Sequence, residues 1–337
     1  MTDLTTSYLG LQLDNPLVPS ASPLTGNLDY ARQLEDAGAA ALVMQSLFEE
    51  DLREEEEHLA KYGVEQDIGH HEAAHFLPTH HEVSTTLERY LDHLDKLKSS
   101  LAIPVIASLN GTSISHWLDH ARDLQQAGAD ALELNMYYVV ADVDETPVTI
   151  EQRYESIVRE LVSTVSIPIT VKLSPYFSAL PNFVRRLSNA GASGVVLFNR
   201  FYQPNIDLEE LQVDYRLILS NPGDSLLAMR WIALLYGRVD VSLAATGGIH
   251  SAIDALKVIS AGASVAHLCS TLLTLGPRQL THIKSQMVEW LVEHEYESIS
   301  QLTGSISQQH APDPASYERH NYTKTLNSYQ LSTKHWR

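Results

Sequence analysis

The sequence predicts a (β/α)8 barrel, a single large α/β domain that keeps its chemistry at the C-terminal mouth. Three observations carry this expectation. Eight short apolar runs recur along 337 residues, a length that suits one large α/β domain. Longer amphipathic segments alternate with them, the pattern of parallel strands joined by right-handed crossovers. Four of those segments end in one joint, DAGAA, QAGAD, NAGAS and SAGAS, where a glycine just past a helix satisfies its carbonyl end by turning left-handed. An open doubly wound sheet would show the same joints, but eight strand candidates favour closure.

In chain order, NPLVPSAS (15–22) is the first strand candidate and leads into a helix around 27–37 that stops at Gly38. ALVMQS (41–46), IPVIASLN (103–110), ALELN (131–135) and IPITVKLS (167–174) follow. SGVVLFN (193–199), VSLAATGG (241–248) and ASVAHLCS (263–270) complete the eight. The helical patterns include HWLDHARDLQQAG (116–128), FVRRLSNAG (183–191), AIDALKVISAG (252–262) and a closing segment near 277–294. Two insertions, 47–82 and 199–225, follow the second and sixth strands, on the side where barrel enzymes elaborate their loops. Residues 1–295 are expected to form the barrel, and the polar segment 296–337 an appended helix or interface arm.

Composition narrows the function classes. Hydrophobic residues make up 44% and charged residues 19%, a globular balance. The formal net charge of −19, with no basic patch, argues against nucleic acid and anionic membranes as partners. A single cysteine, Cys269, excludes an intrachain disulfide and points to a reducing, cytoplasmic setting. The N-terminus lacks a signal-peptide pattern, and no apolar stretch approaches the ~20 residues that span a bilayer.

The strongest chemical signal lies in the last two units. Gly247-Gly248 ends the seventh strand and Cys269-Ser270-Thr271 the eighth. Glycines admit close approach of a phosphate, amides at a helix start face the anion, and strands 7 and 8 are where barrels grip phosphates. Lys172, in ITVKLSP, is a cation inside an apolar strand and is costly to bury without a partner. Facing the mouth, it would stabilise negative charge at the pyrimidine end of a reduced flavin; the bland reading is a lysine snorkelling from a strand end. Asn135 and Asn199 close corresponding strands, and their amides suit the edge of a heterocycle as well as a turn cap.

HEAAH (71–75) matches the zinc-protease helix pattern. It sits in an insertion directly after Gly69 and His70, without an obvious third ligand, so no metal is assigned. The acidic run Glu54–Glu57 reads as a solvated helix face or a lid.

NPLVPSAS, ALELN, VKLSP, VVLFN, ATGGI and LLTLGP stand in the order and spacing of the dihydroorotate dehydrogenase family. The resemblance spans residues 5–295 and is nearest to the soluble class 1 enzymes, in particular to a dihydroorotate dehydrogenase-like subgroup marked by SLFEED, VKLSP and LFNRFYQP. It implies an FMN-binding barrel, usually homodimeric, that takes two hydrogens from dihydroorotate, one as a proton to a cysteine or serine base and one as hydride to flavin N5.

Carried over, Ala21 and Ser22 lie against the isoalloxazine edge, and Ser46, Asn135 and Lys172 bond the ring and ribityl chain. Gly247, Gly248 and Ile249, with Cys269, Ser270 and Thr271, hold the phosphate. Asn135, Asn199 and Gln45 face the substrate. The sequence departs from the family in the loop after ALELN. Where class 1 enzymes place the cysteine of a string resembling N-x-S-C-P-N, this chain has Tyr138, and Val140 replaces the second asparagine. Gln45 stands where a lysine is expected and Pro23 where a glycine is. Tyr138 is therefore the expected proton-transfer residue, beside Lys172. Two rival readings are a flavoprotein of this fold with another enone-type substrate or without turnover, and a zinc hydrolase built on His71, Glu72 and His75.

Overall fold

Each of the eight apolar runs forms a parallel strand. They are β1 (Leu17–Pro19), β2 (Leu42–Val43), β3 (Val105–Asn110), β4 (Ala131–Asn135), β5 (Ile169–Leu173), β6 (Gly194–Leu197), β7 (Ser242–Thr246) and β8 (Val265–Leu268). The computed structural model describes residues 2–67, 84–111 and 114–328. Its ladder runs β1-β8-β7-β6-β5-β4-β3-β2. The Ala40 amide donates to the Leu17 carbonyl at 3.0 Å, which bridges the two ends and closes the barrel. Leu47–Phe48 extends β2 and pairs with the end of β3 at Leu109 and Asn110.

The crossovers are amphipathic helices with identifiable caps. Helix α1 (Leu28–Asp36) starts at Asn27, whose side chain accepts from the Asp29 and Tyr30 amides. The insertion after β2 contributes α2 (Glu49–Asp67), on which Glu54, Glu56 and Glu57 lie exposed. HEAAH lies outside the described residues. Helix α3 (Thr86–Ser100) opens with a capping box between Thr85 and Glu88. Helices α4 (Ile114–Gln126), α5 (Pro147–Thr164), α6 (Leu180–Asn189), α7 (Ser225–Leu235) and α8 (Ala252–Ala261) follow β3 to β7 in turn. After β8 come a short α9 (Ser270–Leu275) and α10 (Arg278–Glu293). The joint glycines Gly38, Gly128, Gly191 and Gly262 carry φ of 98°, 95°, 108° and 124°, as the AG pattern requires.

The barrel interior is layered because alternate strand residues point inward. Val18, Val43, Ile106, Ala131, Val196, Ala244 and Val265 form the lower layer with Tyr8, Leu9 and Leu13. Those last three belong to an antiparallel hairpin, Thr6–Tyr8 with Leu11–Leu13, which plugs the bottom. Above it the inward positions become polar and include Ser108, Glu133, Lys172 and His267, all buried.

Beyond α10 the chain stays on the barrel. In α11 (Ile299–Leu302), Ile299 and Leu302 join the main core. The Gly304, Ile306 and Gln308 amides then donate to Ile259, Ser260 and Ala233 carbonyls at the ends of α8 and α7. Helix α12 (Arg319–Asn327) is exposed. Among the described residues no helix is long and apolar enough to cross a membrane.

Candidate active site

A cavity of about 670 Å³ occupies the C-terminal mouth. Strand ends deliver its polar groups. Register places Asn110 of β3 beside Asn135 of β4, and Asn135 beside Lys172 of β5. Asn199, two residues beyond β6, donates from Nδ2 to Asn135 Oδ1 at 2.6 Å. Three amides thus form an arc next to a lysine that is only 6% exposed. Asn110 ends IPVIASLN and belongs to this arc, although the sequence reading passed over it. Its signal was an asparagine closing a third strand.

Beneath the arc lies a buried polar cluster. Lys172 Nζ bonds Glu133 Oε1 at 3.3 Å. Among the described residues Glu133 Oε2 has no hydrogen-bond partner, and it sits 3.8 Å from His267 Nδ1. His267, part of the cavity floor, has both ring nitrogens unpartnered and packs edge-on against Tyr8. Burial lowers its pKa to about 4, with Glu133 opposing and Lys172 adding to the shift. The floor imidazole is therefore neutral at working pH.

The opposite wall has the form of an anion cradle. Gly247 and Gly248 carry φ of 86° and 75°. A side chain on Gly248 would collide with the Ser225 amide and the Asn221 carbonyl, while the space over Gly247 is open. Ser270 Oγ accepts from the Ser220 amide at 3.0 Å. Thr271 Oγ1, next in the chain, is buried and has no partner among the described residues. Burial pushes the Cys269 thiol up, which keeps it from acting as a thiolate.

The structure brings Ala21, Ser22, Ser46, Asn135, Lys172, Asn199, Gly247, Gly248, Ile249, Cys269 and Ser270 to this one cavity. Ser46 is held there by a 2.8 Å bond between its Oγ and Ser108 Oγ. Thr271 stands just behind the wall. Gln45 and Tyr138 do not line the cavity. The Gln45 amide oxygen packs over Gly26 in the β1–α1 loop. The Tyr138 hydroxyl donates to Glu145 Oε2 at 2.5 Å, with Arg153 over its ring at 4.9 Å. Arg153 also binds Glu145 at 2.6 Å. Tyr138 lines a separate cavity of about 370 Å³, beyond an aromatic partition of Tyr137, Tyr176 and Phe201.

The phenols that do line the main cavity are Tyr137, Tyr176 and Tyr202, alongside Arg200. Burial raises Tyr202, and its ionisation is coupled to Cys269, Arg200 and Lys172. Tyr176, Arg200 and Tyr202 escaped the sequence reading, because alternation says nothing of where a loop side chain points, whereas Tyr137 was already open to reading as a pocket wall. Among the described residues no group of histidine, cysteine and carboxylates is arranged to hold a metal.

The fold and the site together define a (β/α)8 barrel with a cofactor-sized cavity at its mouth, a buried cation at one end and a glycine-lined cradle at the other. Residues 52–291 match the dihydroorotate dehydrogenase family. The chain is 27% identical over 312 residues to the catalytic subunit of a dihydroorotate dehydrogenase B (NAD(+)) of Thermoplasma acidophilum, covering 90% of this chain and 99% of that protein. It is 24% identical over 319 residues to the corresponding subunit of Shouchella clausii, covering 90% and 98%. It is 23% identical over 325 residues to the NAD-dependent dihydropyrimidine dehydrogenase subunit PreA of Escherichia coli (strain K12), covering 90% and 76%.

The chain belongs to the dihydroorotate dehydrogenase family. It is a flavin-dependent dehydrogenase of that type, an oxidoreductase acting on CH–CH donors. Members of this family are FMN-dependent flavoproteins, and the open Gly247 backbone and the Lys172 cation, both lining the cavity, fit that cofactor.

Proposed function

We propose that this chain uses FMN to move two hydrogens across a C–C bond next to a carbonyl in a pyrimidine-type ring, with dihydroorotate to orotate, in pyrimidine biosynthesis, as its default reaction. The observation that carries the reading is the arc of Asn110, Asn135 and Asn199 beside Lys172 in the mouth cavity. Paired amides recognise the alternating donors and acceptors of such a ring edge. Gly247, Gly248, Ile249, Ser270 and Thr271 hold the phosphate, and Ala21, Ser22 and Ser46 contact the ring system and ribityl chain. Bound FMN supplies the two-electron hydride chemistry. Lys172 stabilises the negative charge that develops at the pyrimidine edge.

The proton falls to a phenol. Tyr138 is turned to Glu145 in the neighbouring cavity, whereas Tyr202, half exposed, lines the rim of the main one. Tyr202 is therefore the proposed proton carrier, and Tyr138 a wall anchor. A general acid or base contributes about 10²–10⁴-fold. Tyr202→Phe is accordingly expected to slow turnover by about 100-fold, and Tyr138→Phe by much less. The reverse order in steady-state rates would return the role to Tyr138.

A second reading, a neutral dihydropyrimidine as substrate, rests on the likeness to a dihydropyrimidine dehydrogenase subunit and on Gln45 turning away from the cavity. Anaerobic addition of dihydroorotate and of dihydrouracil to the flavin-loaded protein separates the two. Bleaching by dihydroorotate supports the first, bleaching by dihydrouracil alone the second, and bleaching by neither rejects both.

A homodimer in the cytoplasm is also proposed. Its support is an antiparallel hairpin, Asn205–Asp207 with Gln212–Asp214, in the loop after β6. That loop exposes Ile206, Leu208, Leu211, Tyr215, Leu217 and Ile218, an apolar surface of the kind a second copy covers. A monomeric mass in solution at micromolar concentration would remove this part.

A further inference from the structure

We propose that Glu133 is the positioning residue of the site: it anchors the Lys172 ammonium at the cavity floor and, as its counter-charge, sets how strongly bound FMN is pulled towards its reduced form. The inference rests on the FMN reading above.

Glu133 is fully buried, inside the barrel rather than at its mouth. One carboxylate oxygen meets Lys172 Nζ at 3.3 Å. The other lies 3.8 Å from the neutral imidazole of His267. A buried ion pair is weak evidence for stability, because apolar residues of the same volume commonly do as well. This pair also leaves one oxygen and both imidazole nitrogens without hydrogen bonds, so stability gives it no evident purpose.

Its position supplies one. Register sets Asn135 beside Lys172, and Glu133 lies two residues before Asn135 on the same inward face. The lysine side chain therefore reaches back along the strands to the carboxylate, and that fixes its ammonium beneath the cavity. A lone cation there would favour the reduced cofactor strongly, and a negative charge directly behind it offsets that pull. Among the described residues, the other groups facing the carboxylate are His267 of β8 and the phenols of Tyr8 and Tyr90, each of which feels its charge. None of them is a second cation.

The test is the midpoint potential of FMN in the holoprotein, measured by dye equilibration, in wild type, Glu133→Gln and His267→Gln. Glu133→Gln is expected to bind reduced FMN at least tenfold tighter relative to oxidised FMN, a positive shift of about 30 mV. His267→Gln exchanges one neutral side chain for another and is expected to leave the potential in place. Because Glu133→Gln alone strands a buried ammonium, a stability cycle with Lys172→Met guards against a misfolded variant: each single change is destabilising, and the double variant recovers most of the loss. An unmoved potential in Glu133→Gln, an equal shift in His267→Gln, or additive singles in the cycle would overturn the inference. A wild-type protein that takes up no FMN overturns the proposed function and this inference together. Flavin-loaded wild type with an unmoved Glu133→Gln potential overturns this inference alone.

Discussion

Lys172→Met is expected to lower the rate of flavin reduction at saturating donor by about 10²–10³-fold, the loss typical of removing one preorganised electrostatic donor. Lys172 is only 6% exposed, so its charge acts in a medium that screens poorly. The same change costs stability. It strands Glu133, whose charged partner among the described residues is Lys172 at 3.3 Å, and removing half of a buried pair costs about 3–5 kcal/mol. The two effects are separable. Denaturant unfolding reports the second, and single-turnover reduction per bound flavin reports the first. A variant that turned over within tenfold of wild type while binding flavin would place the lysine outside the chemistry. Lys172→Arg is not expected to rescue the rate, because a planar guanidinium fork does not place a point charge where the ammonium sits.

Acid should destabilise the protein through His267. Unfolded, its imidazole protonates near the ordinary value of 6.5; folded, burial holds this off to about 4. Between those values the unfolded chain binds the extra proton, so stability rises with pH across the window. The contribution is fully present above pH 6.5 and is lost as pH falls through 4. It amounts to roughly 3 kcal/mol. The groups facing the ring are Glu133, Lys172 and Tyr8, and Tyr8 is itself pushed further from ionisation by burial. Urea midpoints from pH 7.5 down to 4.5 check this. His267→Gln is expected to flatten the slope, and an unchanged slope would mean that carboxylates elsewhere carry it.

Much of the fold was legible because strand and helix periods differ and because the AG joints announce where each helix stops. The cradle was legible for the same reason: a glycine pair and a small polar triplet stand at the ends of β7 and β8, where a barrel places its phosphate grip. Glu133 and His267 lay in view within ALELN and VAHL. Each is two residues before a recognised strand-end position, hence on the same inward face, and that alternation was the unused signal. Tyr138 was legible only as a substitution at a family position. A loop has no period, and Glu145, which accepts the hydroxyl, stands just before the next helix, with Arg153 in that helix's second turn. Arg200 and Tyr202 escaped for the same reason. The antiparallel hairpin after β6 shows no tight two-residue turn signal and was read only as an insertion.

The most direct test of the central claim is the visible spectrum of the purified native protein after equilibration with FMN and removal of the excess. One FMN per chain is expected, with a flavin spectrum perturbed from that of free FMN and the cofactor released intact on denaturation. A protein that retains no flavin at micromolar concentrations would contradict the cradle assigned to Gly247, Gly248 and Thr271, and with it the catalytic role of Lys172.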